Sequence, residues 1–534
     1  MRIKSVILAA FFAVFGMLQA GAKLPPYENI ARGVVTDDKG KPIEGVVVSD
    51  GYSCTTSDAK GNYTLKRNPY AMYIWVSVPA EYEIPLRQGQ PCFYRKYVDK
   101  REFDFVLTPL KKGKEKKFNL FLVGDPQCQT TGHVERLANE GIADIKAYAR
   151  KQKGPSYGIT LGDIGYSENI KNTNYLFPII REEMAADKVG MPLMQTVGNH
   201  DFEYANGALD FENPTPSLRR DRMFEAVFGP VDYSWNRGDV HIISINDVEF
   251  EDLVNPGNYH GNITDAQMEW IRQDLSYVPK DKLVILCLHI PVRSITKTSH
   301  YKELIDLLGT FANAKIISGH THTLIYSKHP NGIEEFTVGA LSGCWWWSRN
   351  GADGAPNGYM VFHIDGNQVV DNIFKGVGWK DSFQMRVYRG DAVYGGKYED
   401  FKVPYTHNDL LINVWNWQPG WKIDVYENGK LAGSIDKPMP ISNDFVPEPG
   451  TSKDWWTIGY NIGVVGRGRG ASNRKSYCQK CFHMFFYTMK NPNAKIKVVV
   501  TDLAGRKFET SHIFETAEYD VYAAPPQYRK SMQW

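Results

Sequence analysis

Five short polar motifs in the middle of the chain each follow an apolar run with the length of a buried strand. These runs, at 118–123, 157–161, 193–197, 283–288 and 314–317, alternate with stretches of helical periodicity, which predicts an α/β arrangement. Ligands in such sheets bind at the carboxyl ends of the strands, so the motifs are expected to meet at one edge. In chain order they are Gly124-Asp125-Pro126-Gln127, Gly162-Asp163-Ile164-Gly165, Gly198-Asn199-His200-Asp201, Leu288-His289-Ile290-Pro291 and Gly319-His320-Thr321-His322.

The side chains of these motifs form a coherent set of metal donors. Carboxylate, amide oxygen and imidazole suit Mn, Fe, Zn or Mg rather than a soft metal. Asp163 could bridge two ions with its two oxygens. His320 and His322 alternate, so in an extended segment both would point to one side, a little under ~7 Å apart. That spacing would flank two ions ~3.5–4 Å apart, and two divalent metal ions are the expected cofactors.

The region from about 117 to 375 resembles the calcineurin-like metallophosphoesterase superfamily, whose blocks read D-x-H, G-D-x-x, G-N-H-D/E, H and G-H-x-H. The resemblance implies a central two-sheet α/β sandwich that hydrolyses a phosphodiester or phosphomonoester with a metal-bridging hydroxide. It implies two sets of metal ligands, namely Asp125, Gln127, Asp163 and His322 for the first ion and Asp163, Asn199, His289 and His320 for the second.

The same resemblance assigns two further roles and shows one departure. His200 would act on the leaving group as the catalytic residue, and Asp201 would orient its imidazole. Gln127 stands where the superfamily usually has His. Because an amide oxygen is a weaker donor to a transition metal than imidazole, the first site is expected to bind its ion more loosely or to prefer a harder ion.

Three consecutive tryptophans, Trp345, Trp346 and Trp347, are the candidate substrate contacts. They cannot all face one core, so at least one is expected to be exposed at the site. They could form an aromatic wall for a base, ring or acyl group, or pack between two domains, and the sequence favours neither. His260, beside a helix-capping box at Thr264, is interpreted as structural.

Two β-rich regions flank the central domain, which is predicted to span 113–378. Residues 23–112 resemble the carboxypeptidase-regulatory-like β-sandwich, on the pattern G-V-V-T-D…G-x-P-I-x-G-V-x-V…T-x-x-x-G-x-Y. Residues 379–534 form a second β-rich domain, which could complete the site or bind a carbohydrate or a cell-surface partner through exposed aromatics. Its candidate aromatics are Trp415, Trp417, Trp421, Trp455 and Trp456.

The first 22 residues have the pattern of a cleavable signal peptide. Arg2 and Lys4 precede an uncharged apolar run at 6–18, and Ala20-Gly21-Ala22 supplies small residues for cleavage. The run is short for a span of ~20 residues, so we expect an exported, periplasmic or secreted protein without a transmembrane segment after cleavage. Export permits disulfides, and we expect a possible Cys54–Cys92 pair and, at Cys478 and Cys481, a local disulfide or two buried thiols.

The charge balance bears on the choice of partner. There are 62 Lys and Arg against 60 Asp and Glu, for a net charge of +2, which gives no argument for nucleic acid. A phosphorylated small molecule or headgroup is the expected partner, and no oligomeric state is predicted. The alternative function is a non-catalytic exported binding protein on a phosphoesterase scaffold, which would recognise a surface glycan or phospholipid headgroup through its aromatic-rich β domains. The complete donor set argues against that alternative.

Overall fold

A computed structural model describes residues 30–97, 101–166, 170–202, 221–251, 257–295, 300–392, 405–441, 452–466, 477 and 479–525. The predicted signal peptide and Cys478 lie outside these ranges. Within them, no helix combines the length and the apolar character that a bilayer crossing requires.

The N-terminal region is built from short strands in two small sheets. The sheet orders are β4-β1-β9 and β3-β2-β5-β8, and β6 and β7 form a separate hairpin. Cys54 and Cys92 are free thiols, so the pairing that the sequence allowed does not form. The strands are β1 (Ile30–Asp37), β2 (Val47–Ser49), β3 (Cys54–Thr56), β4 (Asn62–Lys66), β5 (Tyr73–Val76), β6 (Leu86–Arg87), β7 (Gln90–Pro91), β8 (Tyr94–Lys96) and β9 (Phe105–Leu107).

The central domain contains the two predicted sheets, and the α/β fold class is confirmed. The first sheet draws on β10 (Lys117–Val123), β11 (Ser156–Thr160), β12 (Leu193–Met194), β21 (Gly358–Asp365) and β22 (Gln368–Gly376), in the order β12-β11-β10-β21-β22. The second draws on β13 (Tyr233–Arg237), β14 (Val240–Ser244), β17 (Leu283–Cys287), β18 (Asn313–Ser318), β19 (Ile325–Lys328) and β20 (Glu334–Thr337), in the order β13-β14-β17-β18-β20-β19. A hairpin of β15 (Val248–Phe250) and β16 (Tyr259–Gly261) lies outside both sheets.

Helices connect the strands of the central domain. They are α1 (Thr131–Arg136), a π-helical turn (Leu137–Ile142), α2 (Ala143–Ala149), α3 (Ile170–Glu183), α4 (Ala186–Val189), α5 (Arg222–Phe228), α6 (Asp265–Ser276) and α7 (Tyr301–Leu308), with 3₁₀ turns at Asn199–Asp201 and Val292–Ser294. The capping box that predicts α6 is formed, with Thr264 and Gln267 bonding each other's backbone N–H groups.

Parallel pairing places the carboxyl ends of the motif-bearing strands together. β10, β11 and β12 are parallel in the first sheet, and β14, β17, β18 and β20 are parallel in the second. β17 is buried along its whole length, as expected for a strand covered on both faces. The loops after β10, β11, β17 and β18 therefore converge on one edge, where the polar motifs lie.

The C-terminal region adds two more sheets and a second apolar core. The sheets are β23-β24-β27 and β26-β25-β28-β29. Four of the candidate aromatics are buried in the cores and so do not supply the exposed surface that carbohydrate or partner binding would need, namely Trp415, Trp421, Trp455 and Trp456. The elements are β23 (Met385–Arg389), β24 (Asp409–Val414), β25 (Lys422–Glu427), β26 (Lys430–Ile435), α8 (Trp455–Gly463), β27 (Met484–Thr488), β28 (Ile496–Thr501), β29 (Lys507–Thr510), a 3₁₀ turn (Thr516–Glu518) and α9 (Tyr519–Ala523).

Candidate metal centre

Two groups of donor atoms share one carboxylate at the converging loops. Asp163, His289 and His320 form one group, and Asp125, Asp163 and His322 form the other. Within each group the ligand atoms all lie within 4.8 Å of one another. This arrangement, with Asp163 common to both, fits a pair of metal ions bridged by one carboxylate.

Asn199 joins the group that contains His289 and His320. Its Oδ1 lies 2.9 Å from His289 Nε2 and 3.0 Å from His320 Nδ1. The two ring nitrogens are themselves 3.2 Å apart. Three donor atoms therefore point toward one small volume, where a single cation could take all three.

Gln127 lies on the other side of the bridging carboxylate. Its Nε2 donates a 2.7 Å hydrogen bond to Asp163 Oδ2. Its Oε1 is buried and has no hydrogen-bond partner in the part of the chain that the structure describes. The two ends of an amide are nearly isosteric, so exchanging them would place the oxygen beside Asp163.

Five of the seven candidate ligands have left-handed backbone conformations. The φ angles are 45° for Asp125, 38° for Gln127, 52° for Asp163, 70° for His320 and 57° for His322. Such conformations cost non-glycine residues roughly 1–3 kcal/mol each and cluster at functional sites. The prediction of an extended segment at His320 and His322 is therefore wrong. The chain turns at these residues, and this turn brings His322 Nε2 within 3.5 Å of Asp125 Oδ1.

Two glycines of the motifs make room for the donors. A Cβ at Gly198 would lie 2.2 Å from the backbone N of Asp163 and 2.4 Å from its Oδ1. A Cβ at Gly319 would lie 2.7 Å from Asp125 Oδ2. Only glycine therefore allows these loops to approach so closely.

The environment sets the protonation of the imidazoles. His289 Nδ1 lies 2.7 Å from the Leu161 carbonyl and donates to it, which leaves Nε2 facing the site. Burial acts to lower the pKa of His289, but the Asp163 and Asp125 carboxylates and the Leu161 carbonyl together raise the pKa to about 10. Burial lowers the pKa of His320 to about 3 and that of His322 to about 4. These two rings are therefore neutral at pH 7, the form that binds metal.

Asp247 supports the site although none of the motifs contains it. Its Oδ1 accepts a 3.0 Å hydrogen bond from the His289 N–H, and its Oδ2 accepts a 2.9 Å bond from the Ile290 N–H. Burial raises the pKa of Asp247 to about 7. Asp247 lies in the loop after β14, and a carboxylate at the end of a strand is too common in sequences to single it out.

Asp201 has a different contact from the predicted one. Its Oδ2 accepts bonds from the backbone N–H groups of Gly198 (2.9 Å) and Ile164 (3.1 Å), and its Oδ1 from Gly165 (2.8 Å). Both oxygens are thus used to tie the loops after β11 and β12 together. In this structure Asp201 holds backbone rather than the His200 ring.

His200 lies half-buried beside the bridging carboxylate. Its backbone N–H donates a 2.8 Å bond to Asp163 Oδ1. Its imidazole stacks on the ring of Tyr166, with 4.1 Å between centroids and 19° between planes. The aromatic stacking, which the sequence does not reveal, fixes the ring at the edge of the site.

The three tryptophans have three different environments. Trp346 is buried and its Nε1 donates a 2.7 Å bond to the Pro126 carbonyl, so it packs under the first metal-binding loop. Trp345 lies against the His322 ring, with centroids 4.9 Å apart. Trp347 is 51% exposed.

His260 takes the structural place that the sequence favours. Its Nε2 lies 3.5 Å from a Glu249 oxygen and its Nδ1 lies 3.3 Å from a Glu251 oxygen, on the hairpin of β15 and β16. It belongs to neither donor group among the described residues.

Three family models together match most of the chain. Residues 29–110 match the N terminal of calcineurin-like phosphoesterase, residues 110–324 match calcineurin-like phosphoesterase itself, and residues 335–508 match the C terminal of calcineurin-like phosphoesterase. No curated protein matches the chain.

Solved structures with a similar fold include three phosphate-ester enzymes. A dimetal phosphatase from Danio rerio is 14% identical over 49% of this chain and 96% of its own, with a TM-score of 0.34. A 5'-nucleotidase from Candida albicans is 8% identical over 78% and 94%, with a TM-score of 0.32. A purple acid phosphatase from yellow lupin (Lupinus luteus) is 12% identical over 62% and 69%, with a TM-score of 0.29. At these values the similarity does not bear on substrate. The three family matches, together with the donor groups around Asp163, show that the chain belongs to the calcineurin-like phosphoesterase family and is a metal-dependent phosphoesterase.

Proposed function

We propose that the protein hydrolyses phosphate esters of small molecules with two divalent metal ions. The observation that carries the proposal is the membership of Asp163 in both donor groups. The first ion would be held by Asp125, Gln127, Asp163 and His322, and the second by Asp163, Asn199, His289 and His320. When bound, two such metal ions polarise the phosphoryl oxygens and lower the pKa of a water molecule, which supplies the nucleophile.

The residues present fit this cofactor. The donors are carboxylate, amide and imidazole groups, which match borderline or hard divalent cations. Asp125 and Asp163 are both buried, and a buried carboxylate is stable only where cations or hydrogen-bond donors compensate its charge. The unpartnered, buried Oε1 of Gln127 is a further atom that a cation would satisfy.

His200 is proposed to give a proton to the leaving oxygen. It is half-buried at the rim, and its backbone is fixed to Asp163 while its ring is fixed by Tyr166. A positioned imidazole of this kind typically contributes about 10²–10⁴-fold to rate. Asp201 contributes indirectly, because it holds the two loops that carry Asp163 and His200.

Trp345 is proposed as the substrate-facing member of the three tryptophans. Its ring contacts the metal-ligand candidate His322 on one side and Tyr477 of the C-terminal domain on the other, with centroids 4.9 and 5.6 Å apart. An aromatic side chain in this place suits an apolar or aromatic group next to the phosphate. Trp346, which packs beneath Pro126, is not proposed as a contact.

The experiment that tests the function is hydrolysis by the purified protein of p-nitrophenyl phosphate and bis-p-nitrophenyl phosphate, with and without added Mn²⁺. Turnover of either ester that depends on Mn²⁺ and is lost with a chelator supports the proposal, and the ratio of the two rates decides between monoester and diester preference. A panel of phosphorylated metabolites, nucleotides and phospholipid headgroups then narrows the substrate. Bound metal with no turnover of any ester would favour the non-catalytic alternative instead.

We also propose that the protein is exported, on the sequence pattern at residues 1–22 alone. Expression of the full chain with a C-terminal tag, followed by N-terminal sequencing of the product, tests this. Cleavage after Ala22 supports export, whereas an intact N-terminus in the cytoplasmic fraction contradicts it.

A further inference from the structure

A buried histidine of the C-terminal domain lies between two oxygen acceptors. His483 Nδ1 is 2.6 Å from Asn413 Oδ1, and His483 Nε2 is 3.1 Å from Asp353 Oδ2. All three side chains are buried. Asn413 also donates from its Nδ2 to the Asp353 carbonyl at 2.8 Å, so Asp353 is held at both its backbone and its side chain.

Asp353 carries this connection into the catalytic domain. The oxygen that meets His483 also accepts a 2.7 Å hydrogen bond from the backbone N–H of Leu324, two residues after His322. Its other oxygen accepts from the Ala355 N–H at 3.1 Å and so closes the loop on itself. Two successive hydrogen bonds, which meet at Asp353 Oδ2, thus link His483 of the C-terminal domain to the turn that contains His322.

That turn needs support from outside. His322 has a left-handed φ of 57°, and two other left-handed donors lie on the loop after β10. A non-glycine residue keeps such a conformation only where its surroundings over-determine it. Just after the turn, the Leu324 N–H donates to the side chain of Asp353 on the neighbouring loop. Gly351 of that loop lies close to the turn as well, since a Cβ at this position would be 3.0 Å from the His322 carbonyl oxygen.

The far end of the connection is rigid. Asn413 Nδ2 also donates to Asp454 Oδ2 at 2.6 Å, and Arg386 donates to the same oxygen at 3.1 Å. Arg386 and Asp454 are both fully buried. Arg386 also donates to the Gly354 carbonyl, near the turn, and to the Tyr522 hydroxyl in α9, which adds to the support that a buried ion pair needs.

From these contacts we propose that His483 and Asp353 are positioning residues for His322, through which the C-terminal domain sets the affinity of the first metal site. The inference rests on the proposed dinuclear function. It assigns the C-terminal domain a role in assembling the metal centre. It predicts a larger effect on the first ion than on the second, because His322 is the candidate ligand nearest to Leu324, whose N–H is bonded to Asp353.

The chain provides a matched control in a second triad of the same composition, whose His and Asp are buried and whose Asn is partly buried. His241 Nδ1 lies 2.8 Å from Asn236 Oδ1, and His241 Nε2 lies 2.7 Å from Asp274 Oδ2. His241 is as buried as His483, at 2% exposure for each. Its partners belong to β13 and α6 and not to a metal-binding loop.

The test is titration of metal-free His483→Gln and His241→Gln with Mn²⁺, followed by electron paramagnetic resonance, with kcat, KM and the midpoint of thermal unfolding measured alongside. We expect His483→Gln to lose affinity for one of two Mn²⁺ ions by roughly 10–100-fold, the usual effect of removing a residue that orients a ligand. The spectrum at limiting Mn²⁺ should change from a coupled pair to a single ion, and excess Mn²⁺ should restore kcat. His241→Gln should keep the wild-type spectrum even where it lowers the unfolding midpoint as much.

Equal Mn²⁺ affinity in the two variants would overturn the inference, as would equal loss of both ions in His483→Gln. If His483→Gln does not fold, the same titration of Asp353→Asn against Asp274→Asn decides the question in the same way. A wild-type protein that binds fewer than two Mn²⁺ ions would instead contradict the proposed function itself.

Discussion

Gln127 and Asp163 are joined by a 2.7 Å hydrogen bond from Nε2 to Oδ2, while the Oε1 of Gln127 remains buried without a partner in the described residues. The amide therefore meets the bridging carboxylate with its donor end. A cation at the first site would need the acceptor end, and the two ends are nearly isosteric. The orientation of this amide therefore decides whether Gln127 contributes an oxygen to the first site.

Replacement of Gln127 is expected to change the first site alone. Gln127→His should tighten binding of Zn²⁺ or Mn²⁺ at that site, because imidazole is a better donor to these ions than an amide oxygen. Gln127→Leu should weaken it. Stepwise metal titration with elemental analysis measures both, and identical affinities in the two variants would show that Gln127 is not a ligand.

An added methyl group at Gly198 is expected to damage the metal centre. The new Cβ in Gly198→Ala would overlap the backbone and carboxylate of Asp163, so the loop must move at a cost of at least ~1–3 kcal/mol. We predict loss of metal and a lower unfolding midpoint. Gly339→Ala is the control, because its Cβ would meet its nearest neighbour, Leu324, at an ordinary 3.5 Å. Normal metal content in Gly198→Ala would contradict the close packing described for this loop.

Removal of the His200 imidazole should affect turnover and not metal content. If His200 protonates the leaving oxygen, His200→Ala should lose about 10²–10⁴-fold in kcat for an alkyl phosphate ester. The loss should be much smaller for a p-nitrophenyl ester, because p-nitrophenolate leaves readily without a proton. Rates for the two substrates, with metal content measured on the same samples, check this. A loss that is independent of the leaving group would assign His200 another role.

Trp345 and Trp347 provide a paired test of substrate contact. Trp345 adjoins the His322 ring, whereas Trp347 is half-exposed. Trp345→Ala should raise KM for a p-nitrophenyl ester more than for a methyl ester, since only the former has a ring to contact. Trp347→Ala should leave both values of KM near wild type. Equal effects of the two replacements on KM would contradict the proposed contact between Trp345 and the substrate.

Much of the central domain can be predicted from local pattern because buried parallel strands have continuous apolar runs. The predicted runs at 118–123 and 283–288 coincide closely with Lys117–Val123 and Leu283–Cys287. Asp125 follows the first of these strands and His289 follows the second, while Asp163 follows the predicted run at 157–161. These residues meet at one edge because the carboxyl ends of parallel strands lie together. The helical segment between β10 and β11 is interrupted by a π-helical turn, Leu137–Ile142, which periodicity does not reveal.

Features that depend on tertiary contact could not be predicted. The sequence pattern at His320 and His322 suggests an extended segment, whereas both residues have left-handed backbone conformations. The spacing of side chains along a sequence carries no information on the sign of φ. Asp201 lies next to His200 in sequence, but its partners are backbone N–H groups of a different loop. The support of His289 by Asp247 joins residues 42 positions apart and has no motif.

The most direct test of the dinuclear centre is the metal content of Asp163→Asn, with Asp274→Asn as a control for loss of a buried carboxylate away from the metal-binding loops. Both proteins and the wild type would be reconstituted with Mn²⁺, freed of excess metal and measured by elemental analysis alongside their esterase rates. Because Asp163 belongs to both donor groups, we predict about two ions per chain in the wild type and in Asp274→Asn. Asp163→Asn should lose both ions together with its activity. Two retained ions and full activity in Asp163→Asn would contradict the bridging role of this carboxylate.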